Sequence, residues 1–538
     1  MGTIDTMMPT SRVQQPLYAY QNHARALHAA TFLLVLLIIL VQIARSRQDT
    51  YEVIDVDPLV PVLASHKQSF SPEPSFLRMI VEKHNLKHNV SWFSKRIQAI
   101  PKAPRRFSTT TIKQAFLDGK SQNIRWDDEG FSLDTAEFAV LPVTQSSKPD
   151  GIDASHLIFG ISTTFNRLTY DDDSLIKDWQ RWLTNGRGSS NGASAVVTLH
   201  KASSQQTWEI SEKLQKAGID AIVIPQENDM DKFSRYMELV TILSDVNEAL
   251  AEEGHAKRYF GLIDDDMFFP TPAQLISRLS RFDHSAPYYI GLPSERPDWF
   301  VENDTAVTYG GGAVFFTPPA AFLVSHLPCR PDEGVPANDT NWNSILHKCV
   351  ATHADLPFHV LPSLYSPTDA LYTMRAATFD LGISPLTLRH YKSRHRFRAG
   401  LAHLVTSVCG EACFLQRFRF ADDWVLVNGY SITHYRDGLD VVRMTPGAKM
   451  LGEMQYGREA EMPLGEGIVL HDVNEKKDVV TWKGDREVWT FLDAVVGERG
   501  EVAQIYLKRK GGSGITDGES KSEDKDSLDS VIILVWES

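Results

Sequence analysis

Cysteine is scarce. Four in 538 residues are too few for a disulfide-dense scaffold, and without a second closely spaced pair or regularly spaced histidines they form no zinc pattern. Basic charge is not in excess either. Lys and Arg number 55 against 68 Asp and Glu, a formal charge of −13, which disfavours a global nucleic-acid binder, because phosphate neutralisation draws on basic surface. No P-loop occurs, and no GxGxxG follows a first strand, so ATPase and dehydrogenase readings lose ground. Composition is ordinary for a globular chain, 42% apolar and 10% aromatic, which excludes collagen-like, mucin-like and wholly disordered classes. The length suggests about three units, and no internal repeat is visible.

Long apolar runs are absent with one exception. Residues 26–44, ALHAATFLLVLLIILVQIA, carry no formal charge over 19 positions, just under the ~30 Å of a bilayer's hydrocarbon at 1.5 Å per residue. Twenty-five residues precede the run, and Gln42 spoils a small-x-small cleavage site before Arg45, so a retained single span is expected rather than a signal peptide. Arg12 and Arg25 on one side balance Arg45 and Arg47 on the other, so charge does not orient it. Sequons at Asn89, Asn303 and Asn338, and an even cysteine count, favour a lumenal, oxidising C-terminal side.

The expected organisation is a cytoplasmic tail at 1–25, the transmembrane signal anchor at 26–44, and a stem with N-terminal extension at 45–150. The stem is rich in Pro, Ser and acids, and its 76–150 portion, with a basic patch at 95–106, resists placement. From about 155 the texture becomes α/β. Strands are predicted at 156–161, 195–199, 220–225 and 259–263, and helices at 174–183, 204–217 and 233–252. Their alternation predicts a largely parallel sheet covered by helices. A β-rich module is expected at 401–509, with a hairpin turning at Asn428-Gly429 and strand candidates at 479–482, 488–496 and 502–508. A disordered linker at 510–530 and a terminal strand at 531–538 complete the reading.

The strongest local feature is Asp264-Asp265-Asp266, reached by the apolar run Tyr259-Phe-Gly-Leu-Ile263 and followed by Met267-Phe268-Phe269. Three carboxylates at a strand's carboxyl end stand where α/β sheets bind ligands. Left uncompensated they repel one another, so a cation is expected among them; oxygen ligands suit Mg²⁺ or Mn²⁺, which commonly bridge to substrate phosphates. Downstream, Gly310-Gly311-Gly312 precedes an apolar run, and consecutive glycines permit close approach of backbone to ligand.

In this order, Ile263–Phe269, the segment from Tyr289 to Glu295, the glycine triplet and Leu386-Thr-Leu-Arg389-His390-Tyr391 resemble the Fringe-like glycosyltransferases of family 31, most closely their fungal and plant Fringe-related group. Cys409-Gly-Glu-Ala-Cys413 and Asn428-Gly429-Tyr-Ser-Ile are similar to the C-terminal extension of fungal members. The resemblance spans roughly 155–435. It implies a GT-A-like α/β domain at 151–400 and inverting, metal-dependent transfer of a hexose from a uridine-diphosphate sugar to a glycan or glycoprotein hydroxyl, with β1,3 linkage, by a single-pass type II protein of the Golgi or ER. Carried across, Asp264, Asp265, Glu295, Gly310, Gly311 and Gly312 face the donor. Asp266 and His390 hold Mn²⁺ or Mg²⁺, and Arg389, Lys392 and Arg394 stand near the diphosphate.

One position departs from the pattern. Relatives hold an aspartate base six residues before a cysteine matching Cys349, and here that residue is Asn343. A neutral amide cannot take the acceptor's proton. Asp339 is the expected substitute; otherwise the chain is a weak or inactive lumenal protein that binds nucleotide sugar or carbohydrate. A metal-dependent hydrolase lacks a recognisable nucleophile motif. The cysteines allow three pairings, of which Cys329–Cys349 would brace the acceptor-side loop and Cys409–Cys413 would close a short local loop.

Overall fold

An eight-stranded mixed sheet carries the α/β half of the chain. The computed structural model describes residues 74–87, 89–103, 109–117, 121–126, 137–226, 229–291, 312–329, 342–361, 386–389, 391–392, 397–444, 468–470, 477–509 and 528–538, all within the unit Leu59–Ser538. The run at 26–44 and the linker up to 527 lie outside them. Among the described residues no helix is long and apolar enough to cross a membrane.

From one edge, the sheet order is Ile468–Leu470, Phe358–Val360, Tyr289–Gly291, Ala313–Phe316, Tyr259–Ile263, Leu157–Thr163, Ser194–His200 and Asp220–Gln226. Ala313–Phe316 runs antiparallel to both neighbours; every other pairing is parallel. Leu157–Thr163 and Tyr259–Ile263 are buried along their whole length, as continuous apolar runs covered on both faces should be. The connecting helices start where their caps dictate. Ser203 and Gln206 close a reciprocal capping box before Ser204–Lys216, and the Asp231 carboxylate accepts from Ser234 N at 2.9 Å to open Lys232–Glu252. The strands and helices predicted between 156 and 263 are all present, within a few residues of their expected bounds.

The chain first moves outward, from Leu157–Thr163 through Ser194–His200 to Asp220–Gln226, then returns to the other side of its first strand with Tyr259–Ile263. Strand order therefore reverses between those two neighbours, and in open α/β sheets ligands bind outside the carboxyl ends of the strands at such a point.

A ten-stranded sheet forms the other half. Its C-terminal strands are largely antiparallel and include the hairpin Trp424–Val427 and Ser431–Tyr435 that turns at Asn428-Gly429. The stretch expected as stem and N-terminal extension supplies Asn89–Ala103, Gln122–Arg125 and Glu137–Thr144 to this sheet. Asn89–Ala103 pairs in parallel with the last strand, Asp529–Glu537, which begins two residues earlier than expected. Residues 439 apart in sequence, such as Val90 and Asp529, are thus neighbours, and strands from 89–144 share one sheet with 417–435, 486–508 and 529–537.

The two halves meet at Met267–Phe268, which pairs with Leu388–Arg389. Successive side chains of a strand point to opposite faces, and here they feed separate cores: Met267 and Phe269 enter the α/β core while Phe268 packs with Leu388, Tyr391 and Phe414 on the other side. Next to this ribbon Arg181 and Glu411 form a sealed ion pair. Two guanidinium nitrogens lie 2.7 Å from the two carboxylate oxygens, and Nη2 also donates to Pro270 O at 2.7 Å. Both cysteine pairs are bonded, Cys329–Cys349 and Cys409–Cys413.

Candidate active site

Asp264, Asp265 and Asp266 follow Tyr259–Ile263 directly and stand at the reversal point. Their turn is fixed by two backbone bonds: Asp264 N donates to Gly312 O at 2.8 Å, and Met267 N to Asp264 O at 3.2 Å. Gly312 has φ +74, and a Cβ there would lie 2.9 Å from both Arg389 Cδ and Met267 Sδ. The last residue of the glycine triplet is thus required for the close approach of its strand to the acidic turn.

The three aspartates have different surroundings. Asp264 is only 4% exposed. Its Oδ1 accepts from Lys232 Nζ at 2.8 Å, Trp342 Nε1 at 2.9 Å and Tyr236 OH at 3.2 Å, and Arg389 Nη2 stands 2.9 Å from Oδ2. Tyr236 and Trp342 stack nearly parallel with centroids 3.9 Å apart. Burial, with Asp264 and Asp265 adding to it, pushes the Tyr236 hydroxyl well above its ordinary range, so it stays a donor. Asp265 is half-buried. It accepts from Thr163 Oγ1 at 2.6 Å, and Arg167 approaches both its oxygens, Nε to Oδ2 at 3.2 Å and Nη2 to Oδ1 at 3.1 Å. The hydrogen bond to Asp265, then the charges of Asp265 and Asp266, raise the Arg167 pKa against the opposing effect of burial. Asp266 is half-buried beside them.

Two further cations have fixed partners near these strands. Arg235 donates to Ser162 Oγ at 3.1 Å and Met230 O at 2.8 Å, and burial lowers its pKa. Lys392, from the Tyr391 turn, pairs with Asp178 at 2.7 Å. Tyr391 OH donates to Asp178 at 2.7 Å, and burial followed by the Asp178 charge pushes its hydroxyl far up.

Repulsion among three adjacent carboxylates called for a cation, and the fold supplies Lys232, Arg389 and Arg167 from its own side chains. Asp264 is therefore committed to buried internal partners, while Asp265 and Asp266 are the less buried carboxylates of the turn, Asp265 held by Thr163 and the exposed Arg167. A hard divalent ion fits that donor chemistry, and the Arg167 guanidinium occupies the position of a stand-in cation on Asp265. Among the described residues no group of three His, Cys, Asp or Glu is placed to hold a metal. Of the other sequence-predicted site residues, Glu295, Gly310, Gly311, Asp339, His390 and Arg394 lie outside the described residues. Asn343 is described: it is fully buried, and neither amide atom has a hydrogen-bond partner. Sequence reasoning missed Thr163, Arg167, Lys232, Arg235, Tyr236 and Trp342. Thr163 and Arg167 were within reach, since they flank the carboxyl end of the first strand.

No protein-family model matches the chain, and no curated protein does. Among solved structures it is similar to the apo-form glycosyltransferase GlyE of Streptococcus pneumoniae TIGR4, at 13% identity and a TM-score of 0.28 over 46% of this chain and 55% of that one. Mouse xyloside xylosyltransferase 1, apo form, aligns at 11% identity and a TM-score of 0.25, over 44% of this chain and 98% of that one. The mannosyltransferase PcManGT from Pyrobaculum calidifontis, in complex with GDP-Man and Mn²⁺, aligns at 15% and 0.23, over 45% and 65%. The chain spans about half the length of the first. Scores of this size leave the description of the fold to the strand order itself.

Proposed function

We propose that the chain is a glycosyltransferase of GT-A-like architecture, which takes a uridine-diphosphate sugar and passes the sugar, with inversion and β1,3 linkage, to a hydroxyl of a glycan or glycoprotein. The observation that carries this reading is the charge arrangement at the reversal point. Carboxylates of Asp265 and Asp266 suited to a divalent ion stand within one edge with Arg167, Lys232, Arg235 and Arg389, which suit a diphosphate. The ordered Fringe-like motifs, Asp264-Asp265-Asp266, the glycine triplet and the Arg389-His390 turn, support the same donor class.

In this reading Lys232 and Arg389 are pre-positioned by Asp264, so they meet the leaving diphosphate without reorganising, which is where fixed charges act most strongly on a developing anion. Asp265 and Asp266 would hold Mn²⁺ or Mg²⁺, which supplies further neutralisation of the diphosphate. An acceptor hydroxyl must lose its proton to a carboxylate as it attacks the anomeric carbon and the carbon–oxygen bond to the diphosphate breaks; Asp339 is the residue proposed for that proton.

Anchoring by residues 26–44, with the described unit in the lumen of the Golgi or ER, belongs to the same proposal. The two disulfides support an oxidising compartment. Protease added to sealed microsomes should spare residues beyond 45, and digestion of that region in intact vesicles would refute the topology.

Asn343 favours a second reading. A buried, unpartnered amide stands where relatives hold a base, as expected of a protein that binds a nucleotide sugar without transferring it. Incubation with a panel of uridine-diphosphate sugars, Mn²⁺ and glycan acceptors separates the two. A glycosylated acceptor, lost in Asp339→Asn while donor binding persists, establishes the transferase; saturable donor binding with no product from any pair establishes the binding protein.

A further inference from the structure

Among the described residues, Arg167 pairs with the carboxylate that a metal would use. Its Nε and Nη2 lie 3.2 and 3.1 Å from the two oxygens of Asp265, and its side chain is 53% exposed, so little besides Asp265 restrains the guanidinium. Its backbone, by contrast, is fixed. Thr164 caps the short helix Phe165–Thr169, and Arg167 N donates to Thr164 Oγ1 at 3.3 Å and Thr164 O at 3.1 Å. Asp265 has a second anchor in Thr163 Oγ1 at 2.6 Å, which would hold its orientation if Arg167 left.

An independent feature marks the same segment. Asp171, Asp172 and Asp173, directly after the Arg167 helix, have φ of +53, +53 and +56. Asp tolerates the left-handed region better than most residues, but it is visited as single residues rather than as runs, and uncommon backbone of this kind gathers at clamps and switch segments. Exposed Tyr170 precedes them. Beyond them Lys213 pairs with Asp173 at 2.9 Å and tethers the far end. The segment is anchored at Thr164 and at Asp173, with Arg167 between the anchors.

We propose that Arg167 is a two-position cation: it neutralises Asp265 in the empty site, and it leaves that carboxylate to pair with the donor's diphosphate when a divalent ion takes its place. This rests on the donor reading above and deepens it by naming the residue that couples metal loading to nucleotide capture. Electrostatics supports both halves. Arg167 and a divalent ion compete for one carboxylate, and a guanidinium matches phosphate oxygens bidentately. With Arg167 still on Asp265 the metal pays a competitive penalty; with Arg167 absent the diphosphate loses a partner.

Arg167→Ala and Arg167→Lys in the full chain test this by titration with Mn²⁺ alone, then with UDP in saturating Mn²⁺. Arg167→Ala should bind Mn²⁺ about three- to tenfold more tightly than wild type and UDP more weakly by a similar factor, the range of one partly exposed ion pair beside a multivalent ligand. Arg167→Lys should lie between. Because the side chain is half in solvent, the melting temperature should change little, and a thermal scan checks it. If both affinities move in the same direction, or neither moves in a folded variant, the proposal is overturned while the donor reading stands. If wild type and variants alike bind neither Mn²⁺ nor UDP, both fall.

Discussion

Two carboxylate–cation clusters flank the acidic turn, and they differ in access. Arg181 and Glu411 are 1% and 0% exposed; their pair is closed off where the two sheets meet and serves to hold Pro270 and the 409–413 loop together. The Asp264 cluster has an equally buried carboxylate, but its cations reach outward, Lys232 being 40% and Arg389 16% exposed. A sealed pair can do no more than specify structure. A buried anion with solvent-facing cations presents positive charge at a fixed place and so can hold an anionic ligand.

The largest effect should come from breaking the sealed pair. Arg181→Met leaves the Glu411 carboxylate buried without its partner and should cost about 3–5 kcal/mol, whereas the double change with Glu411→Leu should regain much of that. Denaturant unfolding of the two variants measures both. Equal losses in single and double variants would remove the distinction between the clusters.

Next in size is an acid effect at the sealed cluster. His403 Nδ1 lies 3.4 Å from Arg181 Nη1, and Nε2 is 3.0 Å from Gln180 O. Burial, then the Arg181 charge, lowers its pKa to about 4. The unfolded chain, with a His pKa near 6.5, binds this proton first as pH falls. Stability contributed by neutral His403 is therefore full above about pH 6.5 and drains as pH approaches 4, by on the order of 3 kcal/mol. His403→Gln should flatten stability against pH in that window; an unchanged acid slope would contradict the assignment.

At the open cluster, Gly312→Ala places a side chain at φ +74 against Arg389 and Met267 and should cost roughly 1–2 kcal/mol. It should also weaken UDP binding, because Arg389 must shift off Asp264. Full UDP affinity in this variant would detach Arg389 from the donor site. The smallest effect has the opposite sign. Asp171→Gly relieves a left-handed residue and should stabilise the fold by about 0.5–1 kcal/mol, read as a rise in melting temperature.

The α/β half was legible because its signals are local. Residues 157–161 and Tyr259–Ile263 are unbroken apolar runs, Ser203 and Gln206 announce a helix start, and the aspartates are contiguous. Residues 89–144 resisted because their partner, Asp529–Glu537, is at the other end of the chain. A buried lysine also masks the strand pattern: Lys95 is 1% exposed and pairs with Glu137 at 3.1 Å while donating to Phe116 O. In sequence it reads as basic surface. The acidic turn was legible, but the cations that balance it come from Arg167, Lys232 and Arg389, and only folding gathers them. Carboxylate repulsion is thus relieved in part by side chains, and the divalent ion proposed at Asp265 and Asp266 shares that task with them.

Calorimetric titration of a uridine-diphosphate sugar into wild type and Asp266→Asn, in Mn²⁺ and in chelator, tests the central claim that the carboxyl edge at the strand reversal holds the donor. The account predicts saturable binding to wild type in Mn²⁺, weakened at least about tenfold both by chelation and by Asp266→Asn, with the unfolding midpoint unchanged. Binding of equal strength in chelator and in the variant, or no saturable binding to wild type at all, would contradict it.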